Sequence, residues 1–430
     1  MYNIFLNPSI AAIFFGIAAI FLFAQLKHIN NKLLLVGTVL LLFLSATYIV
    51  HLNSRIVLVG VILVFGITTL IPFEIKLSKI YKLITIVIFL VLLLFVFLHK
   101  TNSTNGRLFI YKINTQIIRE YWLTGINQPY SVVFNHTQAN YFANNKLATL
   151  EQKMLAGNNY FVLNEWLNIF IHYGIIAFTL AVLLTIYLVT ICIKQLKQFP
   201  QKSWAIGIVI FLLLVSLFSY PFSFIPYVFI FGGCILYIFK NTFALPQKIN
   251  NRIFIILFIG LTTYSSYNIY TYTKAGKEKK EITDLFRVGY ISQALNKALV
   301  VKNAQPPSQE VYKQIATIYL QKNNLDSAVF YIKQAHNVVC NDEIHNFWGQ
   351  CLVLQNKPIE AIDQFLLAVN IIPHRFKNRF DLLKTYLLVS NFEQAKKCAN
   401  EIINFPEKIP SKQSAFYKQQ ALVILDTVSN

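Results

Sequence analysis

Eight apolar stretches, near residues 9–26, 33–50, 56–73, 83–99, 163–193, 204–220, 223–240 and 253–272, constrain this chain more than any motif does. A helix rises about 1.5 Å per residue, so runs of this length cross the roughly 30 Å of hydrocarbon in a bilayer. With a mean hydropathy of +0.52 and only 13% charged residues, the chain does not read as one soluble domain. Basic residues fix the expected orientation. Lys27 and Lys32; Lys76, Lys79 and Lys82; Lys194, Lys197 and Lys202; and Lys240, Lys248 and Arg252 fall in four short loops that alternate with loops nearly free of charge. Lys and Arg resist translocation, so these loops are expected to be cytoplasmic. Arg55, the 100–162 loop and everything after 274 are then outside.

The formal charge of +20 does not point to nucleic acid, because much of it sits in the loops that set orientation and no basic run is interleaved with aromatics. Cys192 and Cys234 lie in spans, and Cys340, Cys351 and Cys398 in the outer region, where an oxidising compartment permits a bridge. Their spacing matches no metal pattern, and small core residues are the preferred reading. The first apolar stretch lacks a positive n-region and an A-x-A site, so it is not read as a cleavable signal. The alternation puts Met1–Pro8 outside, and an uncharged external start suggests a chain beginning partway through a longer architecture.

After Lys274 the texture changes. Gly276-Lys-Glu-Lys-Lys-Glu281 reads as a solvated linker, 275–284, ahead of amphipathic helical patterns over 285–430. Ala294, Ala328, Ala361 and Ala395 recur at intervals of 34, 33 and 34 residues, each opening the second helix of an expected pair. Ala335 and Ala368 sit seven residues beyond two of them, and Ala316 and Gly349 twelve before, where small side chains let paired helices approach. Pro306, Pro373 and Pro406 fall near the ends of three units. This resembles tetratricopeptide repeats. The expected fold is all-α: a polytopic transmembrane helical bundle over 1–274, then an extramembrane tetratricopeptide-repeat solenoid over 285–430 in which 411–427 forms a capping helix.

The 100–162 loop is too long and too aromatic to be an idle connection. Apolar residues at helical spacing over 107–122 predict an interfacial helix with Tyr121 and Trp122 at headgroup depth. Arg107 follows a flexible Gly106 at its start, and Lys112 and Arg119 lie further along it. Arg55, after His51-Leu-Asn-Ser54, stands at the outer mouth of the third span. It reads either as a phosphate clamp or as an anchor reaching headgroups. Glu165 lies at the outer entrance to the fifth span between Asn164 and Asn168. A carboxylate beside lipid is a candidate general base, or else a solvated partner of a loop arginine. The two asparagines are candidates for sugar hydroxyls. His136 in the loop is a second proton acceptor, and His172 reads as a hydrogen-bonded packing residue. No zinc motif, Gly-rich phosphate loop or serine elbow occurs, so neither metal nor cofactor is expected.

Taken in order, these elements resemble the O-antigen ligase family of bacterial envelope glycosyltransferases, which includes O-antigen polymerases and protein O-oligosaccharyltransferases. The likeness runs from residue 1 to about 240. It rests on Ser54-Arg55, Gly106-Arg107, Trp122-Leu-Thr-Gly125, Gln138-Ala-Asn-Tyr-Phe142, Leu155-Ala-Gly-Asn158, Asn164-Glu-Trp-Leu167, Gly174-Ile-Ile176 and Ser219-Tyr-Pro-Phe222. The last three look most like the Bacteroidetes-type branch, which often ends in tetratricopeptide repeats. The resemblance implies transfer of a glycan from undecaprenyl pyrophosphate to an acceptor such as lipid A–core, at the periplasmic face of the inner membrane, without metal or cofactor. Arg55 and Arg107 would hold the pyrophosphate, with Arg119 and Lys112, on the same expected helix as Arg107, weaker candidates for the same work. Two positions depart from the pattern. Leu163 stands where the family has a His before Asn, which leaves Glu165 as the candidate base and His136 as the second. His172 stands where a Glu is usual. A repeat-unit polymerase, a protein transferase and a non-catalytic scaffold presenting its repeats to a protein partner are the alternatives.

Overall fold

A computed structural model describes residues 8–26, 29–70, 101–145, 147–239 and 247–429 of the chain. The expected fourth span, 83–99, lies outside them, as do the first seven residues and Lys27, Lys76, Lys79, Lys82 and Lys240 of the basic loops. The first helices are α1 (Pro8–Gln25), α2 (Lys32–His51), α3 (Arg55–Leu70), α4 (Thr101–Tyr121), α5 (Tyr130–Asn144), α6 (Leu150–Leu155), α7 (Glu165–Gln198), α8 (Ser203–Ser216) and α9 (Ile225–Phe239). There follow α10 (Gln247–Arg287), α11 (Ile291–Ala304), α12 (Gln309–Gln321), α13 (Leu325–Val338), α14 (Asp342–Leu354), α15 (Pro358–Ile371), α16 (Phe376–Leu388), α17 (Phe392–Asn404) and α18 (Lys412–Ser429). No strand occurs among the described residues. Two compact units result, one of residues 1–104 and 162–270, the other of residues 105–161 and 271–430.

In the first unit α8 is apolar on every side and is correspondingly buried, from Ala205 to Leu212. It packs against α1, α3, α7 and α9. Close approach depends on glycine: Phe211 lies over Gly16 and Gly60, and Gly207 faces Ile20 and Val64. A hydroxyl ties the bundle across its width, Tyr227 donating to the Ile10 carbonyl at 2.7 Å. Helices α2 and α7 are long and apolar enough to cross a bilayer, yet only 11% and 6% of their most apolar windows are buried. Four shorter apolar segments lie in α1, α3, the 200–216 stretch and α9. Asn31 caps α2 through the amides of Leu33 and Leu34, and Asn164 caps α7 through those of Trp166 and Leu167. At Gly174 the backbone of α7 turns to φ 74°, ψ −174° and the helix breaks. Only glycine takes that conformation without strain.

The second unit shows how the repeat is made. Gly289, Asn323, Asn356 and Ser390 have φ of 91°, 56°, 57° and 56°. One residue on, the amides of Tyr290, Asn324, Lys357 and Asn391 each donate at 2.9 Å to the carbonyls of Leu285, Tyr319, Leu352 and Tyr386. This six-to-one closure is the Schellman end of a helix, repeated four times in the phase of the alanine series. Ala294, Ala328, Ala361 and Ala395 are all fully buried five residues later. The pairs are therefore the end of α10 with α11, α12 with α13, α14 with α15, and α16 with α17; α18 covers the last pair as the expected cap.

The expected linker over 275–284 is corrected by the same geometry, because it is the first helix of the first pair. Ile282 is buried with Ala294, Leu295 and Ala298, and the Gln314 amide donates to the Lys279 carbonyl and to Thr283 Oγ1, both at 2.9 Å. Lys279 and Glu281 face outward into ion pairs with Glu310 and Lys297. A charge run on one exposed helix face looks like a linker when its apolar partners are sparse.

The loop is helical too, and residues 105–161 belong to the compact unit of the repeats. Helix α4 begins before Arg107, so Gly106 is an interior helical residue, not the hinge expected. Its apolar stripe of Phe109, Ile113 and Ile117 is buried, and α5 packs against α15 and α13.

Candidate functional site

The sequence-derived candidates divide between the two units. Arg55, half-buried, is the first residue of α3, after a tight turn in which Asn53 has a φ of 55° and Ser54 is buried. The N-terminus of α7 is built against a distant segment. The Glu165 amide donates to the Ser219 carbonyl at 3.2 Å. Its carboxylate Oε1 accepts from the Ser223 amide at 2.8 Å and the Ser223 hydroxyl at 3.4 Å. Oε2 has a long 3.5 Å contact with the Asn168 amide. Trp166 Nε1 donates to Ser216 Oγ at 3.1 Å. The Asn-Glu-Trp-Leu segment and the Ser-Tyr-Pro-Phe segment thus form one structure.

Two expectations change here. Glu165 is 5% exposed, so the solvated alternative is excluded by its burial. Asn164 is engaged at both ends of its amide: the oxygen caps α7, and the nitrogen donates to the Leu217 carbonyl at 2.5 Å. Asn168 points at Glu165, and its carbonyl lies 3.0 Å from His172 Nδ1, the packing role expected of that histidine.

In the second unit, Arg107 is half-buried and Arg119 exposed in the last turn of α4. Twelve residues of helix put them about 18 Å apart along the axis, so the two do not act as one clamp. Lys112 donates to the Tyr141 hydroxyl at 2.8 Å, and that hydroxyl donates to Gln152 Oε1 at 2.8 Å. The loop motifs are taken up in docking. Gln138 donates to the Ile371 carbonyl at 2.7 Å and the Gly157 carbonyl at 3.1 Å. Asn158 and Asp342 exchange two hydrogen bonds, of 2.9 and 3.3 Å. Asn135 donates to the Cys340 carbonyl at 2.6 Å.

His136 belongs to a separate group of side chains. It lies with His336, Cys340 and His345, and one donor atom from each of the four falls within 4.8 Å of the rest. Burial pushes the imidazoles down, His345 to about 3 and His336 to about 4, and lowers His136 as well. Burial, then the nearby Asp342, raises the Cys340 thiol to about 12. All three rings are thus neutral, which gives them free lone pairs. The sequence reading expected no metal constellation and missed this group, because one member comes from 200 residues before the others. His336-x3-Cys340-x4-His345 on consecutive repeat helices was the available signal. All five cysteines are free and buried, as expected of small core residues.

No protein-family model matches the sequence, and no curated protein does. Among solved structures the chain is similar to YrrB, a TPR protein with an unusual peptide-binding site, at 17% identity over 35% of this chain and 82% of that one, TM-score 0.27. It is also similar to MamA, at 14% identity over 34% and 91%, TM-score 0.28. Yeast Tom70 matches at 12% identity over 92% and 86%, TM-score 0.25.

Proposed function

We propose that this chain is a membrane-embedded glycosyltransferase that moves a glycan from undecaprenyl pyrophosphate to an acceptor hydroxyl at the periplasmic face of the bacterial inner membrane. The observation that carries the reading is the bond from the Glu165 amide to the Ser219 carbonyl, 54 residues away. The segments so joined are two that the family resemblance quotes independently. The apolar faces that α2 and α7 leave uncovered suit lipid contact, since residues such as Leu33, Leu34, Leu180 and Leu184 are more than half exposed. Glu165 Oε2, in long 3.5 Å contact with the Asn168 amide, is the oxygen that takes a proton from the acceptor in this reading. Arg55, in the same unit as Glu165, supplies fixed positive charge for the pyrophosphate leaving group. Lipid A–core is the preferred acceptor; a repeat-unit polymerase and a protein O-oligosaccharyltransferase use the same donor chemistry.

The test is transfer in a strain deleted for this gene. Wild type restores glycan on lipid, polymer or protein, and the product class names the acceptor. Arg55→Ala and Glu165→Gln each lower transfer at least a hundredfold at unchanged membrane abundance. Normal transfer by both variants removes the catalytic reading. A second reading, a scaffold without catalysis, is favoured by one specific observation: Gln138 and Asn158, quoted as motif residues, are engaged in holding the loop to the repeats. It is supported if the deletion leaves every envelope glycan unchanged.

A further inference from the structure

We infer that His136, His336, Cys340 and His345 form a zinc site that clips the loop helix α5 to the repeats. His136 comes from α5, His336 from the last turn of α13, His345 from α14 and Cys340 from the turn joining the last two. The ring centroids of His136, His336 and His345 are separated by 5.5, 5.8 and 5.0 Å. Three imidazoles on one tetrahedral zinc, with Zn–N of about 2.0–2.1 Å, hold their centroids about 5.2 Å apart. Cys340 Sγ lies 3.3 Å from His345 Nε2, and a sulfur and a nitrogen sharing such an ion stand about 3.6 Å apart. Small shifts suffice to close the shell.

The polar surroundings set the donor atoms. His345 Nδ1 is 2.9 Å from Gln364 Oε1, an oxygen that only accepts. Nδ1 therefore carries the proton and Nε2 presents its lone pair towards Cys340. An outer partner fixing the tautomer of a ligand histidine is the usual support of a metal site. The simpler account, a thiol donating to His345 with rings packed around it, explains only that pair. It leaves His336 Nδ1 buried with no hydrogen bond, which is costly, and gives no reason for a third imidazole at the same point. Three nitrogens and one sulfur in a closed shell suit Zn2+ in a structural role. Binding displaces the Cys340 proton to solvent, leaving a thiolate and three neutral imidazoles on the ion.

The full chain, purified in detergent and stripped with chelator, is titrated with Co2+. One equivalent should bind per chain, giving the visible bands of four-coordinate cobalt and a near-ultraviolet sulfur-to-cobalt band, both abolished by Zn2+. Cys340→Ser should lose the sulfur band, and Gln364→Leu should weaken cobalt binding roughly 10- to 100-fold while keeping it. His51→Asn, a histidine of the first unit outside the cluster, should change nothing. Circular dichroism checks each fold; if Cys340→Ser does not fold, His136→Asn on α5 replaces it and must lose cobalt binding. A wild-type chain without the sulfur band, a Cys340→Ser chain that keeps it, or equal binding after His136→Asn overturns the assignment.

Discussion

At the scale of single residues, the repeats contain positions where one atom decides the packing. A methyl group at Gly349 would meet the Phe365 ring at 2.8 Å, whereas the equivalent Ala316, one repeat earlier, already holds a methyl and is fully buried. Phe365 is itself 1% exposed and has nowhere to turn. Gly349→Ala is therefore expected to destabilise by about 1–3 kcal/mol, read as a lower denaturation midpoint of the full chain in detergent, while Ala316→Gly loses only about 1 kcal/mol of helix propensity and packing. Asp342 is the polar counterpart. Fully buried, it accepts from Arg375 at 2.7 Å, Asn378 at 2.9 Å and Asn158 at 2.9 Å. Removing it takes the carboxylate from the Asn378 and Asn158 donors, while Arg375, 40% exposed, keeps Glu343 and solvent; Asp342→Ala therefore costs about 1–3 kcal/mol, and Asp342→Asn, which keeps the shape and loses the charge, costs less. Equal midpoints for the two variants would argue that the charge is irrelevant there.

At the scale of elements, the repeat period was legible because it is set by residues with no choice. A buried alanine where two helices touch and a left-handed residue where the first helix ends recur together at intervals of 34, 33 and 34. The alanines were visible by eye. The turn series was hidden, because three of its four members are Asn323, Asn356 and Ser390 in place of glycine. Only the backbone shows them in one role. Asn tolerates that conformation; Ser does so less well. Ser390→Gly is expected to raise stability by about 0.5–1 kcal/mol, and Gly289→Ala to lower it by a similar or larger amount. A midpoint that falls in Ser390→Gly would mean that the side chain, not the backbone, matters. The charged stretch from 276 to 281 was misread for a related reason. Its helix fully buries Ile282 and only partly buries Leu285 and Phe286, too thin a stripe to stand out among lysines and glutamates. In the first unit two of the expected spans, 33–50 and 163–193, coincide with helices long and apolar enough to cross a bilayer, and the interruption of the second was not legible. Nothing about Gly174 in the sequence distinguishes a helix break from a packing glycine such as Gly207.

At the scale of the molecule, the joining of residues 130–160 to the repeats was beyond sequence reading. Its bonds span 181 to 254 positions and run mostly from side chains to main-chain carbonyls, which carry no residue signature. Gln138 reaches the Ile371 carbonyl, Asn135 the Cys340 carbonyl, His374 approaches the Lys153 carbonyl at 3.1 Å, and Lys408 donates to the Met154 carbonyl at 2.7 Å. Apolar contact between Val132, Ala139, Ile371 and Ile372 closes the seam. Polar bonds of this kind add little net energy when made but cost about 1–3 kcal/mol when a buried partner is stranded. Gln138→Ala with Asn158→Ala strands the Ile371 carbonyl and one oxygen of Asp342, so the docked state should lose about 2–6 kcal/mol in total. Because α12 to α18 keep their own pairing, the loss is expected as local opening. Amide exchange over α5 should accelerate at least thirtyfold and protease should cut first within 130–160, while exchange in α16 and α17 stays as in wild type. If exchange accelerates equally in α16 and α17, the loop is part of the repeat core and not a separate element resting on it. If α5 shows no change, the carbonyl bonds are incidental and the apolar seam alone holds the helix.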